Sequence, residues 1–386
     1  MITRVEISNY RSIGEKTELR LGNLTALVGP NGSGKSNIVD ALRFVAESLR
    51  NGLEAAVAKR HGFHSILRHG AVPRAVSIEI DIEHEDGWRG DYRIELRAVG
   101  RDDFRVERER ARWFAEKSGT KPDERLDVVR GALKEQWDGL KHPGNLRSLR
   151  LPSYVSGEPS GLGNLEETLK QCSFYSIFPD ALRSPQEPNF SRPMDEHGTN
   201  WCSVLKDMED GEWAPDFSAA IGHLTGDIAG FRVRRIGNHL AAEFRHLGGN
   251  GSDQSKWFAA AQESDGTLRT AGIITALLQQ PSLTLIGIEE PELTIHPGMI
   301  ALLFDYLKEA SHRSQIIITT HSPELLSLLD ADDIRVVERR DGVTTVSPID
   351  ESQRELVRER LLTLGELMMI EGLRQATPQQ ATGAGS

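Results

Sequence analysis

A chain of 386 residues, 38% hydrophobic and 27% charged, holds enough apolar material for one large domain or a core with a sizeable insertion. No apolar run is long enough to cross a bilayer and the first ten residues lack a signal-peptide layout, so a cytoplasmic protein with no membrane partner is expected. A net charge of −11 argues against wholesale coating of nucleic acid, though not against a local basic groove, and the two cysteines, Cys172 and Cys202, form neither a metal spacing nor a disulfide framework.

Residues 1–30 predict two or three short strands, the first carrying Ile2, Val5 and Ile7. Residues 37–58 read as one helix, with Ile38, Ala41, Leu42, Val45 and Leu49 at helical spacing. Residues 75–83 alternate apolar and polar, Asp86-Gly87 turns the chain, and residues 91–98 are the expected hairpin partner. Residues 104–112 predict one more strand. From 113 to 235 polar, proline-rich stretches alternate with short helical patterns at 164–171 and 201–208, which suggests an inserted, mostly helical subdomain without a coiled-coil arm. Residues 230–247 predict strands and 248–253 a loop. The last third returns to α/β: helices at 268–278, 298–309 and 323–329 alternate with strands at 282–288, 315–319 and 333–337. Residues 354–375 predict a short helical tail on Leu356, Leu361, Leu362, Leu364 and Leu367, and the segment after Arg374 is expected to be disordered. The expected division is therefore 1–112, 113–235, 236–350 and 351–386, and a nucleotide would sit at the carboxyl ends of the parallel strands.

Chemistry concentrates at a few points. Residues 29–36 read Gly-Pro-Asn-Gly-Ser-Gly-Lys-Ser, a complete phosphate loop between an apolar strand and a helix. Its glycines allow backbone N–H groups to turn inward on a triphosphate, Lys35 would meet the β- and γ-phosphates, and Ser36 would hold Mg²⁺. Residues 283–292 form an apolar strand ending in Glu289, Glu290, Pro291 and Glu292. Glu289 is the candidate metal carboxylate and Glu290 the candidate general base on the attacking water. His321 directly follows a second buried strand, where an imidazole can reach a γ-phosphate. Glu263 to Arg269 form a polar, glycine-containing helix start with Ser264 or Asp265 as the cap; read alone this is an ordinary N-cap.

This ordered set resembles the ABC-type ATPases of the RecF/SMC-like group, and more closely the compact ATPases related to the OLD nucleases. The resemblance rests on Asn9-Tyr10-Arg11-Ser12, the phosphate loop, a signature segment at 263–267, and the segments 285–290, 291–297 and 319–323. It covers both ends of the chain well and the middle more loosely, around 174–183 and 195–200. It implies a P-loop ABC-type ATPase head: an α/β fold with a mixed, largely parallel sheet, an N-terminal antiparallel β subdomain and an inserted helical subdomain. ATP and Mg²⁺ would be the ligands. Asn31, Gly32, Ser33, Gly34, Lys35, Ser36 and Asn37 would bind nucleotide, joined by Arg11; Ser36 and Glu289 would bind metal; Glu290, His321 and Lys35 would be catalytic. The resemblance also implies a head-to-tail homodimer or higher homo-oligomer in which Ser264 and Gly266 act on the partner's nucleotide. Two positions depart from the family pattern, since Glu289 stands for the usual Asp and Asp265 for the first signature Gly. Gln171 and Gln186 are the candidates for the Q-loop glutamine.

Full-length OLD proteins carry a TOPRIM nuclease domain after the ATPase, and about fifty residues follow the switch region here. A separately encoded effector, nuclease-like or toxin-like, is therefore the expected partner, docked on the helical tail or the 113–235 segment. Double-stranded DNA is a second candidate partner, through Lys59, Arg60, His61, Arg68, His69 and Arg74 or through Arg232, Arg234 and Arg235. The expected role is a nucleotide-dependent switch in anti-phage defence or DNA repair; the alternative is an ATP-binding scaffold that hydrolyses little.

Overall fold

The computed structural model describes residues 1–84, 86–100, 103–115, 123–133, 146–155, 160–247 and 256–376. The chain opens with strands β1 (Ile2–Ser8), β2 (Thr17–Arg20) and β3 (Leu24–Val28). Helices α1 (Lys35–Asn51), α2 (Leu53–Lys59) and α3 (Phe63–Ile66) follow. The segment expected as one helix over 37–58 is thus two: Gly52 has φ 88°, outside the helical region, and the chain restarts after it. Strands β4 (Ala75–Glu83), β5 (Trp88–Val99), β6 (Asp103–Ala115), β7 (Glu124–Val129) and β8 (Ala132–Leu133) come next. With β1 and β2 they form one antiparallel sheet in the order β2-β1-β4-β5-β6-β7-β8.

After short α4 (Leu151–Tyr154) and α5 (Gly161–Lys170), strand β9 (Cys172–Tyr175) enters the central sheet. Helices α6 (Pro179–Arg183), α7 (Trp201–Glu209) and α8 (Ala214–Thr225) supply the helical character of the middle segment. Strands β10 (Ile228–Ile236), β11 (His239–His246) and β12 (Lys256–Ala259) make a small antiparallel sheet. The last third contributes α9 (Asp265–Leu278), β13 (Leu285–Glu289), α10 (Ile300–Ala310), β14 (Gln315–Thr320) and α11 (Pro323–Leu326). It ends with β15 (Ile334–Arg340), β16 (Val343–Pro348), α12 (Glu351–Arg358) and α13 (Leu364–Ile370).

The expected boundary at 113 falls inside β6, because β6 pairs with β5 along its length and with β7 beyond the boundary. Strand β9 lies inside the segment read as an insertion yet pairs in parallel with β13. The loop expected at 248–253 lies outside the described residues, as do residues 377–386 of the tail. Residues 374–376 run beside β16, where Ala376 donates its N–H to Pro348 O at 2.9 Å.

The central sheet has the order β16-β15-β3-β14-β13-β9, parallel except for β16. Its strands look uniformly apolar because both faces are covered. Ala26, Val28, Ile286, Ile288, Ile316 and Ile318 face the core built with α7, α8, α9 and α10. Leu27, Leu285, Ile317 and Val337 face the second core, built with α1 and the antiparallel sheet. Helix α1 lies in that second core, and even Asp40, Arg43, Glu47 and Ser48 on it are buried. Among the described residues no helix is long and apolar enough to cross a membrane.

Candidate active site

Three neighbouring strands, β3, β14 and β13, end at the same edge of the central sheet. Each hands on a polar segment there: the phosphate loop after β3, His321 after β14, and Glu290 after β13. In the loop Gly34 has φ 108°, and a Cβ on it would lie 2.2 Å from Thr344 Oγ1, so only glycine fits. The same threonine hydroxyl donates to Ser33 O at 2.8 Å and is 2.7 Å from Ser12 Oγ. Strand β16 therefore clamps the loop from behind. Asn31 and Gly32 are exposed, and Ser33 and Lys35 are buried.

Lys35 Nζ donates to Gly29 O at 2.6 Å and Pro30 O at 3.2 Å. Burial lowers its pKa, against the pull of Glu290, Glu292 and Glu289. Ser36 Oγ donates to Glu289 Oε2 at 2.9 Å, which brings the two candidate metal ligands together. One hydroxyl and one carboxylate, both hard oxygen donors, suit Mg²⁺ with its remaining positions filled by water and phosphate. Glu289 Oε1 also receives Arg43 Nη2 at 3.3 Å. Glu290 Oε1 lies 3.0 Å from His321 Nδ1. Glu290 has φ 46°, a conformation that non-glycine residues seldom adopt, and its N–H is held by Thr319 O at 2.9 Å and Thr319 Oγ1 at 3.2 Å.

The remaining expected residues are placed differently. Asn37 Nδ2 donates to Ser12 Oγ at 2.6 Å, and Arg11 pairs with Asp40 Oδ2 at 3.0 Å. Burial would raise the Asp40 pKa, but Arg60 and Arg11 outweigh it and the carboxyl is held low. Arg11, Asp40, Arg43, Lys59 and Arg60 line a polar cleft of about 230 Å³ that reaches Ser36 and Glu289. Ser264 caps α9 by accepting from Thr267 N at 3.1 Å, and a Cβ on Gly266 would meet Thr294 O at 2.6 Å. Asp265 is ion-paired with Arg183. Among the described residues no hydrogen bond joins residues 264–266 to the phosphate loop of the same chain.

Neither glutamine reaches the site. Gln171 bonds Glu167 and Thr284 at the opposite ends of the strands. Gln186 is buried, tied to Gly198 O and Cys202 N. Glu196 comes close instead, paired with Arg43 and, at 3.2 Å, with Lys59. The basic clusters are largely neutralised internally: Arg60 is buried against Asp40 and Glu47, and Arg232 and Arg234 both pair with Glu243.

Two contributors escaped the sequence reading. Arg269, buried on α9, donates to Ile177 O at 2.6 Å and to Glu289 O and Glu290 O at 3.0 Å each. A cation on a helix face otherwise made of Gly272, Ile273 and Ala276 is the signal that could have found it. Glu292 is buried with its Oε1 accepting from Thr320 Oγ1 at 2.5 Å. Its place as the third acid of one short run was visible, its burial was not.

Two family models match the chain. Residues 1–96 match "RecF/RecN/SMC N terminal domain", and residues 174–327 match "AAA domain, putative AbiEii toxin, Type IV TA system". The Old nuclease of Escherichia phage P2 is 24% identical over 394 aligned positions, covering 92% of this chain and 62% of that protein. The chromosome partition protein Smc of Clostridium kluyveri is 57% identical over 42 residues, 11% of this chain and 4% of the relative. The chain thus spans less than two thirds of these relatives' lengths. Among solved structures, an Smc head bound to the C-terminal winged-helix domain of ScpA aligns with a TM-score of 0.58 at 17% identity, over 92% of this chain and 99% of the other. An Smc head from Pyrococcus furiosus with an extended coiled coil, bound to the C-terminal domain of ScpA, gives 0.56 at 15% identity, over 93% and 99%.

Proposed function

We propose, from the premise that the chain is a RecF/SMC-like ABC-type ATPase head related to the OLD nucleases, that it hydrolyses ATP as a dimeric switch controlling a separately encoded effector. The observation that carries the reading is the convergence of Lys35, Ser36, Glu289, Glu290 and His321 at one sheet edge.

Each residue has a defined task. The loop's backbone N–H groups and Lys35 bind and orient the phosphates, Lys35 exchanging its two carbonyl acceptors for phosphate oxygens. Ser36 and Glu289 would hold Mg²⁺, which when bound neutralises developing charge on the phosphate oxygens. Glu290 is placed to accept a proton from the attacking water, with His321 fixing one of its carboxylate oxygens. Ser264 and Gly266, unattached to their own phosphate loop, are free to face a partner's nucleotide in a head-to-tail dimer. Closing and opening of that dimer would track the γ-phosphate. The effector would be nuclease-like or toxin-like, a reading the likeness to Old nuclease over 92% of the chain supports, and the switch would serve anti-phage defence or DNA repair.

The test is turnover and affinity measured together. Glu290→Gln is expected to cut kcat by about 10²- to 10⁴-fold while keeping ATP affinity. Lys35→Ala is expected to weaken ATP binding. Equal, near-zero turnover in wild type and Glu290→Gln would instead favour a scaffold. The switch would also sense or clamp duplex DNA; binding across a salt series, with and without ATP, tests this, and no binding in either state removes it.

A further inference from the structure

We propose that Glu292 is a positioning residue for hydrolysis, setting the Glu290–His321 pair through Thr320; the inference rests on the ATPase reading above. Of the three acids at the end of β13 and just beyond it, Glu289 and Glu290 turn to Ser36 and His321, whereas Glu292 is only 7% exposed. Burying a carboxyl is costly unless its oxygens find donors. Here Oε1 accepts from Thr320 Oγ1 at 2.5 Å, and that hydroxyl oxygen accepts from Ser322 N at 3.0 Å. The backbone N–H groups of Glu292 and His321 face the same carboxyl. One side chain thus fixes residues 320, 321 and 322, on both sides of the imidazole.

Thr319 performs the matching task on the other partner, accepting the N–H of Glu290 through its carbonyl and hydroxyl oxygens. Adjacent threonines at the end of β14 therefore hold the two halves of the pair. Glu290, with φ 46°, needs such external support to stay in place. Glu292 Oε2 is buried and makes no hydrogen bond among the described residues, so Oε1 carries the contact with Thr320. The role is indirect: Glu292 touches neither Glu290 nor the imidazole ring through any hydrogen bond among the described residues, and acts by placing the segment that carries the ring.

The experiment is steady-state ATP hydrolysis, with fluorescent-nucleotide affinity and melting temperature, for Glu292→Ala, Glu292→Gln, Thr320→Val, Thr320→Ser and the double variant Glu292→Ala/Thr320→Val. Glu292→Ala and Thr320→Val are expected to lower kcat by ~10²-fold with nucleotide affinity within ~3-fold, as for a misplaced reacting group. Glu292→Gln keeps an acceptor oxygen and Thr320→Ser keeps the hydroxyl, so both should retain most turnover. The double variant should be no worse than the poorer single one, because the two residues act in one chain of contacts. Unchanged turnover in Glu292→Ala, additive losses, or lost affinity in place of lost kcat would overturn the proposal. If Glu292→Ala does not fold, unchanged turnover in Thr320→Val is decisive against it, and loss in Thr320→Val with rescue in Thr320→Ser supports it. Turnover that is abolished by Glu290→Gln yet kept in Glu292→Ala and Thr320→Val rejects this inference alone. Absence of turnover in the wild type rejects the ATPase reading and this inference with it.

Discussion

Single side chains in this protein carry unequal burdens. Arg269 supplies donors to the carbonyls of Ile177, Glu289 and Glu290, and burial lowers its pKa. Arg269→Ala would take a donor from all three carbonyls, of which Glu290 O keeps Leu293 N at 3.1 Å, and a stability loss of about 2–4 kcal/mol is expected in urea denaturation. His246 offers a pH-dependent case. It lies 2.9 Å from Asp227 Oδ2 and 2.8 Å from Glu263 Oε1. Burial alone would lower its pKa, but the bonds to Glu263 and Asp227 raise it. A group whose pKa rises on folding stabilises most below its unfolded pKa, and that contribution fades as pH climbs through the folded value. The melting-temperature gap between wild type and His246→Gln should therefore be wider at pH 6 than at pH 8.5; an equal or reversed gap would reject the ion-pair account. The sequence showed Lys35 through the spacing of the phosphate loop, and Glu289, Glu290 and His321 because each ends or follows an apolar run. It hid Arg269 and Glu196, whose partners lie tens to hundreds of residues away.

At the scale of elements, legibility followed the length and regularity of the apolar pattern. Strand β4 was plain, since its buried and exposed positions alternate over Ala75–Glu83. Strand β9 was not, because its four buried residues show neither the alternation of β4 nor the longer apolar run of β14. Helix α1 showed its apolar stripe but not that its polar side would be sealed by Arg60 and Lys59 against Asp40 and Glu47. The join between the phosphate loop and β16 is a close contact between elements. Gly34→Ala would place a methyl against Thr344 at a φ that alanine avoids. ATP affinity measured by calorimetry should fall severely, while Gly237→Ala, at a turn where a Cβ meets nothing within 4 Å, should leave it unchanged.

At the scale of the molecule, the central sheet divides two cores and exposes one reactive edge. The sequence supported that architecture through alternating strands and helices, but the domain borders were blurred because β6 and β9 cross them. The reactive edge holds the Lys35 and Glu290 half of the proposed composite site, and the α9 start is turned to other partners. Glu290→Gln with ATP is therefore expected to elute at roughly twice the monomer mass in light-scattering chromatography, and Lys35→Ala to stay monomeric. Monomers throughout would remove the dimer from the proposal.

Thr344 binds the loop at Ser33 and the early residue Ser12, 311 and 332 positions apart. During synthesis the loop emerges first and its backing strand 311 residues later. Ribosome-bound chains lacking β16 would have a loop whose curl is not yet braced, and contacts of such long separation form slowly. Nucleotide capture would then be deferred until β16 is available, which makes ATP a ligand of the folded head and not a nucleus for its folding.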